Sequence, residues 1–393
     1  MRQQSSSVAE LDRPPVENHP AMVSMLTPEG IRVPGGEYEV FADALDVKTL
    51  QDLFRDMSLQ RRFDTEATAL QRQGELALFP PALGQEAAQT GLGHALRPQD
   101  FVFTSYREHG VALSRGLTPA DILKVFRGSS HGGWDPQQHN FHNYEIIIGA
   151  QSLHATGYAM GVRLEGRVGT GDSGQDVATV ACFGDGATSE GDVSEALTFA
   201  GAFNAPVLFY CQNNQWAISE PTRVQTSAPL YRRGEGFGVP GIRVDGNDVI
   251  ATYAVARYCL ERIRAGHGPM LIEAYTYRMG AHTTADDPTK YRSAAEAERW
   301  AARDPLDRLR RHLSGELGVP GDFLAQVEAE VDDFAAALRR DCVEMPDPEF
   351  ATIFDHAYST PHPLVEEERA WYADYLASSE DGPGSDGAEG ARA

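Results

Sequence analysis

Three stretches of the chain stay apolar over the length of a strand. Val177–Cys182 reads VATVAC, Pro206–Gln212 reads PVLFYCQ, and Met270–Tyr277 is the third. Runs without polar alternation belong to strands covered on both faces, as in parallel sheets. Phe101–Thr104 is a shorter candidate. Elsewhere the apolar spacing is helical. Val193, Ala196, Leu197, Ala200 and Phe203 predict a helix between the first two strands. Asn247 or Asp248 can cap a helix running to about Ala265, with Val249, Tyr253, Leu260 and Ile263 on its buried face. Residues 47–73 predict a long helix through Leu50, Leu53, Phe54, Met57 and Leu59. Phe323, Leu324, Val327, Val331, Phe334 and Leu338 predict a late one. This order predicts an α/β fold: a doubly wound, mostly parallel sheet flanked by helices, with right-handed crossovers.

The ends differ in character. Residues 1–40 are expected to form an N-terminal arm, partly mobile, because residues 1–20 are polar and carry several prolines. Residues 41–345 hold the strand and helix pattern and form the main domain. Residues 346–378 are expected to be a C-terminal helical extension. Residues 379–393, SEDGPGSDGAEGARA, read as a disordered acidic tail.

Charge and cysteine content narrow the function classes. The formal charge is 34 − 57 = −23. Such acidity argues against nucleic acid or an anionic membrane as a partner. The cysteines, Cys182, Cys211, Cys259 and Cys342, show no CxxC pair and no disulfide-like spacing. The N-terminus has no apolar signal region, and no apolar run approaches the roughly 20 residues of a membrane span. A cytoplasmic location is expected.

The chemistry concentrates where two of the strands end. Ligands of open parallel sheets bind at the carboxyl ends of strands. VATVAC runs into Phe183-Gly184-Asp185-Gly186-Ala187, and PVLFYCQ into Asn213-Asn214-Gln215-Trp216. Asp185 and Asn214 therefore leave consecutive strands on one edge. Gly184 and Gly186 allow a tight turn and a close phosphate, and the next helix can present its amides to an anion. A carboxylate, an amide oxygen and a returning Trp216 carbonyl suit Mg²⁺. A lone GDG is commonly a plain turn. GDG followed by NN, each after an apolar strand, is far more specific.

That pair resembles the thiamine diphosphate-binding motif. GDGATSEGDVSEAL and CQNNQWAIS are similar to the α subunits of the 2-oxoacid dehydrogenase family, which includes branched-chain, pyruvate and acetoin enzymes. FPPALGQEA, FTSYREHG, IRVDGND and IEAYTYRMGAHTTADDPTKYR also resemble family segments, in family order. The resemblance covers about residues 40–375, and the branched-chain members match best. It implies thiamine diphosphate and Mg²⁺ as cofactors. It places Tyr106, Arg107 and His282 at the diphosphate, with His282 also reaching the active-site mouth as the candidate catalytic residue. Asp185, Asn214 and the Trp216 carbonyl match the metal ligands, and Ala187 a backbone contact. Ser152, Gly184, Gly186 and Gln212 complete the implied cofactor-binding set.

The resemblance has departures. Gln212 stands where some members carry an arginine, so one phosphate contact is expected to be weaker. Ala150 replaces a serine, and Gly149, Gln151, His154 and Ala155 occupy the place of a K⁺ site in some members, so K⁺ is not expected. His131, His139, His142 and His154 lack zinc-site spacing. The reaction implied is decarboxylation of a 2-oxoacid with acyl transfer to a lipoyl group. In two-chain members the β subunit supplies a glutamate to the cofactor. The implied partners are therefore a β subunit, in an assembly of two α and two β chains, and a lipoyl-bearing acyltransferase. A pyruvate or acetoin enzyme is the alternative, as is a non-catalytic scaffold that kept the fold. The segment Gly280–Arg292 is expected to order over the diphosphate. Thr283 stands where mitochondrial relatives carry a regulatory phosphoserine.

Overall fold

The computed structural model describes residues 22–130 and 132–380. Among these, a six-stranded sheet contains β1 (Met22–Val23), β2 (Phe101–Phe103), β3 (Thr179–Gly184), β4 (Val207–Asn213), β7 (Gly241–Asp245) and β8 (Met270–Tyr275). A separate hairpin pairs β5 (Trp216–Ala217) with β6 (Glu220–Pro221). The sheet order is β1-β7-β8-β4-β3-β2, and every neighbouring pair is parallel. β4 and β8 are buried along their whole length, which is why their sequences show no polar alternation.

The expected α/β architecture is therefore present. Helix Gly191–Phe203 connects β3 to β4 and buries Val193, Ala196, Leu197 and Ala200 against the sheet. Helix Val249–Arg264 connects β7 to β8 and packs with helix Glu86–Ala95. The two connections step across the sheet in opposite directions. Right-handed crossovers therefore put their helices on opposite faces.

Details differ from the sequence pattern for local reasons. β3 starts at Thr179 rather than Val177, because the Val177 amide donates to the Arg167 carbonyl and the Ala178 amide to Asp100. The strand continues through Phe183 and Gly184, which pair with Cys211 and Gln212. In helix Val47–Arg72 the buried position beside Leu59 belongs to Gln60, whose amide donates to Gln89 over 3.0 Å.

Part of the expected arm belongs to the sheet. Met22 and Val23 pair with Arg243 and Val244. Asp248 caps helix Val249–Arg264 with one oxygen and accepts the amides of Met25 and Leu26, each at 2.6 Å, with the other. A buried carboxylate needs such donors, and here they come from the N-terminal segment. Residues 1–21 of the arm, His131 and residues 381–393 of the acidic tail lie outside the described residues.

The chain divides into two compact units after Glu344. The second contains helices Thr352–Asp355 and Pro363–Glu380. Among the described residues, no helix is long and apolar enough to cross a membrane.

Candidate active site

The carboxyl ends of β2, β3, β4 and β8 deliver the site. β2 leads through Thr104 and Ser105 to Tyr106 and Arg107. β3 leads to Asp185, β4 ends at Asn213 and leads to Asn214, and β8 leads to Arg278 and His282.

Arg107 and Arg278 are both buried. Arg107 donates from Nη2 to the His282 carbonyl over 2.8 Å and to His282 Nδ1 over 3.1 Å. Arg278 Nη1 reaches the same nitrogen over 3.3 Å. The Tyr106 hydroxyl lies 3.5 Å from His282 Nε2. Among the described residues, neither arginine makes an ion pair within 4 Å. Burial and the two guanidiniums push the His282 imidazole down to about 3. Burial and then Arg107 lower Arg278 to about 10. His282 is thus neutral, with Nδ1 accepting from the arginines and the proton on Nε2.

A second group surrounds Asp185, which is buried in the turn Asp185–Ser189. Its Oδ2 accepts from the Thr222 hydroxyl at 2.7 Å and from Gln225 Nε2 at 3.2 Å. Burial raises its carboxyl above the ordinary range. Asn214 donates from Nδ2 to Gln85 at 2.8 Å, and its Oδ1 accepts the Trp216 amide at 3.2 Å. The Trp216 carbonyl accepts from Arg278 Nη1 at 2.8 Å, which joins the two groups. Arg278 Nη2 donates to the Ile218 carbonyl at 2.7 Å and to the Tyr291 hydroxyl at 3.0 Å. The turn it grips is strained. Gln215 and Ile218 both have left-handed φ, +73° and +55°, and for a β-branched residue this conformation is costly.

The remaining sequence candidates take other places. Gln212 belongs to a buried amide network, donating to Glu108 at 2.9 Å and accepting from Gln89 at 3.1 Å. Ser152 lies in the first turn of helix Ala150–Leu164, and its buried hydroxyl has no hydrogen-bond partner. No hydrogen bond joins it to the other candidates. Ala187 is buried in the turn after Gly186. A Cβ on Gly186 would stand 2.8 Å from the Ala217 Cβ, so this glycine admits the β5–β6 hairpin. At Gly184 a Cβ would meet nothing within 4 Å, so the backbone there faces open space. The turn Asp185–Ser189 carries Asp185 and Gly186 of the GDG sequence, and the expected crossover helix begins after it, at Gly191.

The segment after β8 folds back on itself. The Asp286 carboxylate accepts the His282 amide at 2.8 Å and the Tyr291 hydroxyl at 2.5 Å. Arg292 donates to the carbonyls of Arg278, Met279 and Gly280. The segment is held by hydrogen bonds of its own.

One edge thus carries two buried arginines, neither in an ion pair within 4 Å among the described residues, beside a carboxylate–amide–carbonyl group. The family model described as dehydrogenase E1 component matches residues 55–335, which include all of these groups. The chain belongs to this family. It is 45% identical, over 349 residues, to the 3-methyl-2-oxobutanoate dehydrogenase subunit alpha of Mycobacterium tuberculosis, covering 88% of this chain and 92% of the relative. It is 36% identical, over 338 residues, to the pyruvate dehydrogenase E1 component subunit alpha of Acholeplasma laidlawii, covering 84% and 95%.

Within this E1 chain, sequence reasoning missed Arg278, Thr222 and Gln225. Arg278 lies in the quoted segment around His282, four residues before it, and the only available signal was an arginine at a strand end. Thr222 and Gln225 gave none, because their role depends on the hairpin bringing them back over Asp185.

Proposed function

We propose that this E1 chain is an α subunit that holds thiamine diphosphate and Mg²⁺ and acts, with a β subunit, on a branched-chain 2-oxoacid. The cation cluster carries the reading. Two buried guanidiniums converge on a neutral histidine and, among the described residues, neither pairs with a carboxylate within 4 Å, a geometry that leaves room for a close counter-charge. A diphosphate supplies it. The buried, unpartnered Ser152 hydroxyl and Arg278 Nε, and the open space at Gly184, agree with this guest.

In this reading Tyr106, Arg107, Ser152, Gly184, Gly186, Ala187 and His282 form the diphosphate side, Arg278 joins them, and Gln212 stands behind them with its amide taken up by Glu108 and Gln89. Asp185 Oδ1, Asn214 Oδ1 and the Trp216 carbonyl provide the three hard oxygens for Mg²⁺, which usually leaves its other positions to phosphate and water. When bound, thiamine diphosphate supplies the chemistry that breaks the bond between the 2-oxo carbon and its carboxylate. The chain's own residues neutralise phosphate charge, hold the ion and keep a proton on His282 Nε2, on the edge facing Tyr106. The relative's name supports the branched-chain substrate, and the words "subunit alpha" in it support a β partner. A lipoyl-bearing acyltransferase is the acceptor this chemistry requires. The free, buried cysteines fit a reducing cytoplasm.

The test is reconstitution. The α and β chains together should decarboxylate 3-methyl-2-oxobutanoate, in the presence of an artificial electron acceptor, with a higher kcat/KM than pyruvate. The α chain alone should show no turnover. Turnover by α alone would remove the two-subunit reading, and a preference for pyruvate would remove the branched-chain one.

A further inference from the structure

The two carboxylate oxygens of Asp185 are not equivalent. Oδ2 takes the Thr222 hydroxyl at 2.7 Å and Gln225 Nε2 at 3.2 Å. A carboxylate oxygen has two lone-pair sites, so these donors fill it. Oδ1 receives no hydrogen bond from another residue among the described residues. We propose that Thr222 and Gln225 select the cation bound here, by confining Asp185 to ligation through one oxygen. The inference rests on the Mg²⁺ reading above.

The clamp is anchored in the sheet. The Thr222 oxygen also lies 3.1 Å from Asn213 Oδ1, a weaker, longer acceptor for the same hydroxyl proton. Asn213 in turn donates to the buried Glu273 on β8 over 2.7 Å. The Thr222 amide donates to the Gln215 carbonyl over 3.0 Å, which closes the turn containing Trp216. Gln225 is fixed a second time, donating to the Glu220 carbonyl at 3.3 Å. The donors therefore cannot swing away without disturbing β4 or the hairpin.

Coordination chemistry turns this geometry into a preference. Ca²⁺ takes six to eight oxygens and commonly uses a carboxylate through both of them. Mg²⁺ demands a small octahedron and keeps several waters. A site with one available carboxylate oxygen and two neutral oxygens meets the second requirement and starves the first. Thr222 and Gln225 never touch the ion. They are positioning residues, and a hydrophobic substitution of either frees one lone pair of Oδ2.

The experiment uses the reconstituted α/β enzyme, stripped of cations with a chelator. Thiamine diphosphate binding is followed by calorimetry with Mg²⁺, Mn²⁺ or Ca²⁺ as the cation. The wild type should bind well with Mg²⁺ and Mn²⁺ and weakly with Ca²⁺. Thr222→Val and Gln225→Leu should each shift the ratio of Mg²⁺- to Ca²⁺-supported affinity toward Ca²⁺ by about tenfold, the scale of one hydrogen bond to a charged group. Thr222→Ser, which keeps the hydroxyl, should restore the wild-type ratio. A merely structural role would weaken binding equally with every cation. An unchanged ratio in both variants overturns the inference. Should Thr222→Val fail to fold, Gln225→Leu decides alone. A wild type whose thiamine diphosphate binding ignores cations overturns the Mg²⁺ reading itself, a separate result.

Discussion

Arg107 and Arg278 donate to the same atom, His282 Nδ1, over 3.1 and 3.3 Å. Sharing an acceptor brings two buried like charges together, which destabilises the fold unless something pays it back. Replacing either with Met should weaken thiamine diphosphate binding by about 1.5–3 kcal/mol, the range for charged hydrogen bonds. Relief of repulsion should offset the lost hydrogen bonds, so the ligand-free Tm should change by only a few degrees. Calorimetry and thermal melts check both. A large drop in Tm with unchanged affinity would make these arginines structural.

Much of the fold was legible, because strands buried on both faces write uninterrupted apolar runs. β3, β4 and β8 did so. β7 did not: Gly241–Asp245 carries Arg243 and Asp245, and it is a strand because β8 lies alongside it. β1 has two residues and exists through its pairing with β7 and the reach of Asp248. In the site, Asp185 and Asn214 stood out because each follows such a run. Arg278 and Thr222 did not, because partners distant in sequence give each its purpose. No local pattern encodes that the Trp216 carbonyl needs a guanidinium.

His109 gives a pH signature. It is fully buried, donating from Nε2 to the Pro80 carbonyl at 3.0 Å and accepting at Nδ1 from the Tyr144 hydroxyl at 2.7 Å. Burial pushes it down to about 3 from an ordinary 6.5. Below 6.5 the unfolded chain takes up a proton that the folded chain refuses. This contribution to stability is complete above pH 6.5 and is lost as pH falls toward 3, by up to about 1.4 kcal/mol per unit. His109→Gln should lower Tm at pH 7 yet flatten the decline of Tm between pH 6.5 and 5. An unchanged slope would assign the acid sensitivity elsewhere.

Ile218 holds φ at +55° while its side chain is 56% exposed. The left-handed conformation costs an L-residue about 1–2 kcal/mol, and little burial is lost on truncation. Glycine removes that cost but adds about 0.5–1 kcal/mol of unfolded-state entropy. Ile218→Gly should therefore raise Tm by about 1–3 °C. A clear fall in Tm would show that the isoleucine side chain stabilises the turn.

One of the ties between Arg278 and the segment from His282 to Arg292 is the Tyr291 hydroxyl. Tyr291 donates to Asp286 at 2.5 Å and accepts from Arg278 at 3.0 Å, while Asp286 also accepts the His282 amide. Tyr291→Phe cuts this link and leaves the ring packing against Trp216, whose centroid is 5.3 Å away. Thr283 begins the same turn, its carbonyl accepting the Asp286 amide at 3.0 Å. A carboxylate at position 283 would add negative charge to the turn that contains Asp286 and compete for the cations that the diphosphate needs. Limited trypsin digestion should therefore cut at the exposed Lys290 faster in Tyr291→Phe and Thr283→Glu than in the wild type, with Thr283→Ala unchanged. Mg²⁺ and thiamine diphosphate should slow cleavage in the wild type and in Thr283→Ala, and protect Thr283→Glu least. Equal rates in all four proteins would show that the Tyr291 bridge does not hold the segment closed.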